Sequence, residues 1–170
     1  LESIIRAPDG TFWASDEYRP AIYHFDANGV LLNRFIPEGT AEANGDSEGT
    51  FGTETLPPVY AQRRANRGFE GMALDTDTNK LYAWIQSPID NPDVPNNANS
   101  RNSVVLRILE VDPTNGEATG EYIQILNNAD EAVDKIGDAV YQGDGKFLVI
   151  ERDSAVGEDA NKLIFEVDLN

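Results

Sequence analysis

The sequence predicts an all-β protein, and within that class a β-propeller, of which the chain supplies about two and three-quarter four-stranded blades of a larger ring. Three observations carry this expectation. Short β-rich runs punctuated by Gly, Asn and Asp fill the chain, and no stretch holds apolar residues at helical spacing for long. The runs repeat, because Phe12, Leu81 and Phe147 occupy the same place in successive units, 69 and 66 residues apart. The third strands Ile22 to Asp26, Ile108 to Asp112 and Ile164 to Asp168 then align as well, each ending in Asp. A small antiparallel sandwich that happens to repeat is the alternative.

Blade 1 covers residues 2–36 and starts with Ser3 to Ala7, a Pro8-Asp9-Gly10 turn and Thr11 to Ser15. Ala21 to Asp26, an Asn28-Gly29 turn and Val30 to Ile36 complete it in meander order. A long loop, 37–68, leads to blade 2, residues 69–126. Its strands are Glu70 to Asp75, Leu81 to Gln86, Val104 to Val111 and Gly120 to Leu126. Blade 3, residues 136–170, has Gly137 to Tyr141, Lys146 to Glu151 and Leu163 to Asp168, and lacks a fourth strand. Further blades from the rest of the chain or from another chain are expected to cover the open sheet edges.

Charge and composition narrow the chemistry. Thirteen Lys and Arg against 30 Asp and Glu give a net charge of −17, which repels nucleic-acid phosphates. No apolar run is long enough to span a membrane. With no Cys and a single His24, thiolate zinc, disulfides, cysteine nucleophiles and multi-histidine sites are excluded. The chain opens at Leu1 without a signal-peptide pattern, so a processed or partial chain is expected.

Loop lengths place the site. The joins between first and second strands, and between third and fourth, are tight Asp-Gly or Asn-Gly hairpins, whereas the remaining joins are long. Successive joins in a meander alternate between rims, so the long loops share one face, which is where function belongs. The first strands begin there at Ser3, Glu70 and Asp138; the second strands end there at Asp16 and Glu17, Ile85 and Gln86, and Glu151 and Arg152. Clustered carboxylates repel one another unless a cation offsets them. An all-oxygen site takes Ca²⁺ or Mg²⁺, and mixed carboxylate ligation suits calcium better. Solvated strand ends are the plain alternative. Arg63, Arg64 and Arg67, just before Glu70, are the candidates for attracting a substrate anion, or else pair with neighbouring acids.

Other features read as structural. Asp75 to Asn79 has the alternate-oxygen spacing that opens a calcium loop, but Lys80 and Gln86 replace the required Gly and Glu, so a hairpin is expected. His24 lies within a strand and away from the loop rim. Trp13, Tyr82, Trp84 and Phe147 read as core between blades. The tract from Asp90 to Asn99 is a polar loop with no chemistry of its own.

Several segments together resemble a known family: Asp16-Glu17 with Ile22 to Asp26, Leu56-Pro57 with Arg64 to Leu74, and Asp138-Ala139 with Gly145 to Arg152. The most specific are Asn66 to Gly71 and Phe147 to Asp153. They are similar to the phytase-like domain family, described as having esterase-like activity of phytase. That resemblance implies an exported bacterial propeller, extracellular or periplasmic, related to calcium-dependent phosphoric-ester hydrolases and longer than this chain. Matched residue by residue, it implies metal ligands among Asp16, Glu17, Glu70, Asp138 and Glu151, with Glu70, Asp138, Glu151 and Arg152 as the catalytic set. The expected function is calcium-assisted hydrolysis of a small phosphorylated substrate oriented by arginines; the alternative is a non-catalytic propeller serving binding or assembly.

Overall fold

Aspartates at the hairpin corners fold the blades locally. Asp9, Asp26, Asp75 and Asp112 each accept a hydrogen bond from the backbone N–H two residues on, at 2.9, 2.8, 2.8 and 2.9 Å. Asp168 does the same with Asn170, at 3.0 Å. The repeated Asp at the end of each third strand is therefore a turn former. Asp75 with Thr78 makes the expected plain hairpin, with Asn79 in the left-handed region.

The computed structural model describes residues 1–90, 98–127 and 133–170. The polar tract after Asp90, up to residue 97, and residues 128–132 of the join after Asn127 lie outside them. Three separate sheets form. Blade 1 comprises β1 (Ser3–Arg6), β2 (Phe12–Asp16), β3 (Ala21–Phe25) and β4 (Leu31–Pro37) in antiparallel order. Blade 2 comprises β6 (Phe69–Asp75), β7 (Lys80–Ile85), β8 (Val105–Val111) and β9 (Ala118–Ile125). Blade 3 has β10 (Lys135–Gly143), β11 (Lys146–Arg152) and β12 (Lys162–Asp168). The long loop is more ordered than its composition suggests: β5 (Thr53–Leu56) joins blade 1 as a fifth strand, parallel to β4. Glu54 holds this excursion in place by accepting from the N–H groups of Gly39 and Ala41, at 2.7 and 2.9 Å.

The blades stack face to face with their first strands together, β10 along β6 and β1 beside β6. At the seam between blades 2 and 3, Phe147 packs against Tyr82, Trp84 and Tyr141, with ring centroids 4.7 to 5.3 Å apart. At the seam between blades 1 and 2, Trp13, Ile22 and Phe35 join Leu74 and Leu81 in the core. His24 stacks on Trp13 at 3.9 Å, so it packs as expected. Backbone hydrogen bonds stitch the long-loop rim across all three blades: Gly68 N–H to Glu17 O, Gln86 N–H to Gly68 O, and Ile136 N–H to Gln86 O. The outward faces keep exposed apolar residues, Ile4 and Leu31 on blade 1 and Val140, Leu148 and Ile164 on blade 3.

One register expectation is corrected. Ser3 pairs with Ser15, Gly71 with Trp84 and Asp138 with Ile150, so the residue equivalent to Ser3 and Asp138 is Gly71 rather than Glu70. Glu70 is the extra residue of a β-bulge, and Gly137 occupies the same bulge in blade 3. Gly71 lets the inner strands approach closely: a Cβ there would lie 3.0 Å from both Ala139 N and Asp138 C, so the β10 backbone would have to give way by a few tenths of an ångström.

Candidate functional site

The bulge re-aims the Glu70 side chain, and the site is built around it. Glu2 precedes β1, Glu17 follows β2 and Glu70 sits near the start of β6; one carboxylate oxygen from each lies within 4.8 Å of the other two. Glu70 is buried, Glu17 partly so, and Glu2 exposed. The amide nitrogen of buried Gln86 bridges two of them, donating to Glu17 Oε2 and Glu70 Oε2, both at 2.5 Å. Asn66, held in the left-handed region by its loop, donates to Glu17 Oε1 at 2.6 Å. Arg152 reaches Glu70 Oε1 with Nη2 at 2.8 Å. It does so by lying over Gly137, where a Cβ would come within 3.2 Å of its Cδ.

Electrostatics follow from this crowding. Desolvation raises the Glu17 carboxyl above its ordinary value, and repulsion from Glu70 and Glu2 adds to it. The three carboxylates outnumber the two guanidinium groups that act on them, Arg152 on Glu70 and Arg67 on Glu17, which leaves negative charge for a cation to offset. The donor set is entirely oxygen, and among the described residues the buried Gln86 Oε1 has no hydrogen-bond partner. These residues therefore fit a hard cation such as calcium.

The other expected residues are distributed differently. Asp138 is exposed at the start of blade 3 and accepts from the Ala139 N–H at 2.8 Å. Desolvation lifts its carboxyl, the Ala139 N–H opposes the lift, and Glu70 adds to it. Asp16 turns away from the cluster and caps the β2–β3 corner, accepting from Tyr18 and Arg19 N–H groups and from the Tyr23 hydroxyl. Glu151 is buried in the seam instead of facing the rim: Gln124 Nε2 donates to it at 2.7 Å and Asn127 N–H at 2.8 Å, while Trp84 Nε1 donates to Gln124 Oε1. Its neighbours Phe147 and Val149 on the same sheet face explain this, since alternation sends Glu151 inward and Arg152 to the other side.

The three loop arginines separate. Arg63 donates to Tyr18 O. Arg64 lines a small cavity with Leu126 and Val133, its Nε buried without a hydrogen-bond partner among the described residues. Arg67 donates to Asn66 O and is the one whose charge lowers the Glu17 carboxyl. Glu2 and Gln86 were not singled out as site residues from the sequence. Gln86 stands beside Glu17 in the repeat alignment, and Glu2 lies one residue outside a recognised strand, so both had a positional signal.

Separate radial blades with inner strands converging on an acid-lined rim define a β-propeller protein. The particular family follows from its family model, described as Phytase-like, esterase-like activity of phytase, which matches residues 1–170; the chain belongs to this family. An "Uncharacterized secreted protein" of the fungus Arthroderma benhamiae is 28% identical over 181 residues, covering 94% of this chain and 35% of that protein. Among solved structures, hydrazine synthase of Kuenenia stuttgartiensis superposes with a TM-score of 0.53 at 13% identity, over 98% of this chain and 38% of that one. That likeness concerns the fold alone. The chain thus spans a little over a third of the length of each.

Proposed function

We propose that this chain is part of an exported, calcium-assisted phosphoric-ester hydrolase, with Glu2, Glu17 and Glu70 as the cation ligands. The observation that carries the reading is the meeting of these three carboxylates beside Arg152. A bound calcium would supply Lewis-acid polarisation of a phosphoryl oxygen and an acidified water. The chain's own residues do the rest. Gln86 holds Glu17 and Glu70 in fixed rotamers. Arg152 pairs with Glu70 Oε1 and has further N–H groups with which to orient a phosphoryl oxygen. Asp138, with its carboxyl lifted, is the nearby group suited to exchanging a proton with the leaving oxygen. Family membership and the secreted relative support the hydrolase class and export.

A second reading, a propeller used for binding or assembly, is favoured by the exposed apolar face of blade 3, with Val140, Leu148 and Ile164, which suits a further blade as partner. Hydrolysis of a phosphomonoester panel with added calcium decides between them. Wild type should turn over at least one substrate, and Glu17→Gln with Asp138→Asn should lose about a hundredfold in rate. Equal rates for both proteins would remove the enzyme reading.

A further inference from the structure

A second constellation lies on the outward side of blade 1, starting at Tyr18, the residue after Glu17. There the β2–β3 corner, the outer ends of β3 and β4 and the excursion after β4 enclose a cavity of about 430 Å³, in the size range of small-ligand sites. Arg19, Arg34 and Arg63 line it, together with Tyr18, Tyr23 and Phe51. In a chain with 30 acids and 13 Lys and Arg, none of the lining residues is acidic. Among the described residues, none of these three arginines forms an ion pair.

The guanidinium groups are held by neutral partners instead. Arg19 lies over the Phe51 ring at 5.0 Å and Arg34 over the Tyr23 ring at 5.8 Å. Arg63 uses Nε and Nη2 on the single carbonyl of Tyr18. Arg34 Nε is buried and has no hydrogen-bond partner among the described residues. Asp16 acts on Arg63 through its charge but spends its oxygens on the Tyr18 and Arg19 N–H groups and the Tyr23 hydroxyl, and Glu54 spends its oxygens on Gly39 and Ala41. Three guanidinium groups around one concavity with no acidic side chain in its lining and no direct ion pair, in a strongly anionic protein, suit an external anion. Ile36 and Pro20 add an apolar wall.

From this geometry we infer that the blade 1 cavity binds a small organic anion, a phosphate or carboxylate carried on an apolar or aromatic body. The arginine forks match the oxyanion, and Phe51 with Ile36 covers the body. None of Glu2, Glu17, Glu70 and Arg152 lines the cavity, so binding needs no cation and stands apart from the proposed hydrolytic site.

Titration calorimetry in chelator tests this with phenyl phosphate, benzoate and neutral benzyl alcohol. The anions should bind saturably and the alcohol should not; the tighter anion identifies the headgroup. Arg19→Gln, at an exposed position that leaves the fold intact, and Arg34→Gln should each weaken binding about tenfold. Arg6→Gln, outside the cavity, and Glu70→Gln should leave it unchanged. Failure of both anions to saturate, equal binding of the alcohol, or affinity untouched by Arg19→Gln overturns the inference.

Discussion

Glu17 is the residue at which the opposing forces of the site are most visible. Its carboxyl is raised above 4.5 by desolvation and then by Glu70 and Glu2, so the folded chain holds that proton more tightly than the unfolded chain does. The stabilisation is therefore fully present below pH 4.5 and is lost as pH rises through the raised folded value. In chelator, the thermal midpoint of wild type should fall over that window. Glu17→Gln, which cannot ionise, should show a shallower fall, and a parallel curve for both proteins would contradict the assigned repulsion. At this scale the sequence was partly legible. Strand-end position identified Glu17 and Glu70, but Asp16 looks identical to Glu17 in a linear pattern. Only its bonds to Tyr18, Arg19 and Tyr23 show that it serves the corner. Glu151 carried a readable signal that went unused, because alternation with Phe147 and Val149 already points it inward.

At the scale of elements, turn chemistry made the blades readable. The Asp that closes each third strand is a local hydrogen-bond former, and local rules survive in sequence. The bulges at Glu70 and Gly137 are different in kind, since an extra residue in one strand shows only once its partner strand is aligned. The same holds for β5, whose pairing to β4 depends on the Glu54 contacts across a 15-residue separation. The seam between blades 2 and 3 yields a prediction. Glu151→Ala would leave the Gln124 amide and the Asn127 N–H unpaired in a buried seam, costing roughly 3 kcal/mol of stability. Chemical denaturation measures this, and the calcium response should persist in the variant because Glu151 is not among the proposed ligands. Loss of that response would return Glu151 to the site.

The whole molecule sets charge repulsion against radial packing. Seventeen net negative charges act on a stack whose inner strands bring acids from two blades together at one rim. Cation binding to the folded state alone would add RT ln(1 + [L]/Kd), about 2.7 kcal/mol at a hundredfold excess over the dissociation constant. General screening would not distinguish calcium from magnesium at equal ionic strength, whereas a flexible carboxylate site favours calcium. The most direct test is the thermal midpoint in chelator, calcium and magnesium at fixed ionic strength, for wild type and Glu2→Gln. Glu2 is exposed, so its substitution spares the fold while removing one proposed ligand. A site predicts a rise with calcium that exceeds the rise with magnesium and shrinks in Glu2→Gln. A calcium shift equalled by magnesium, or unchanged by the substitution, would show that Glu2, Glu17 and Glu70 form only a solvated acidic rim.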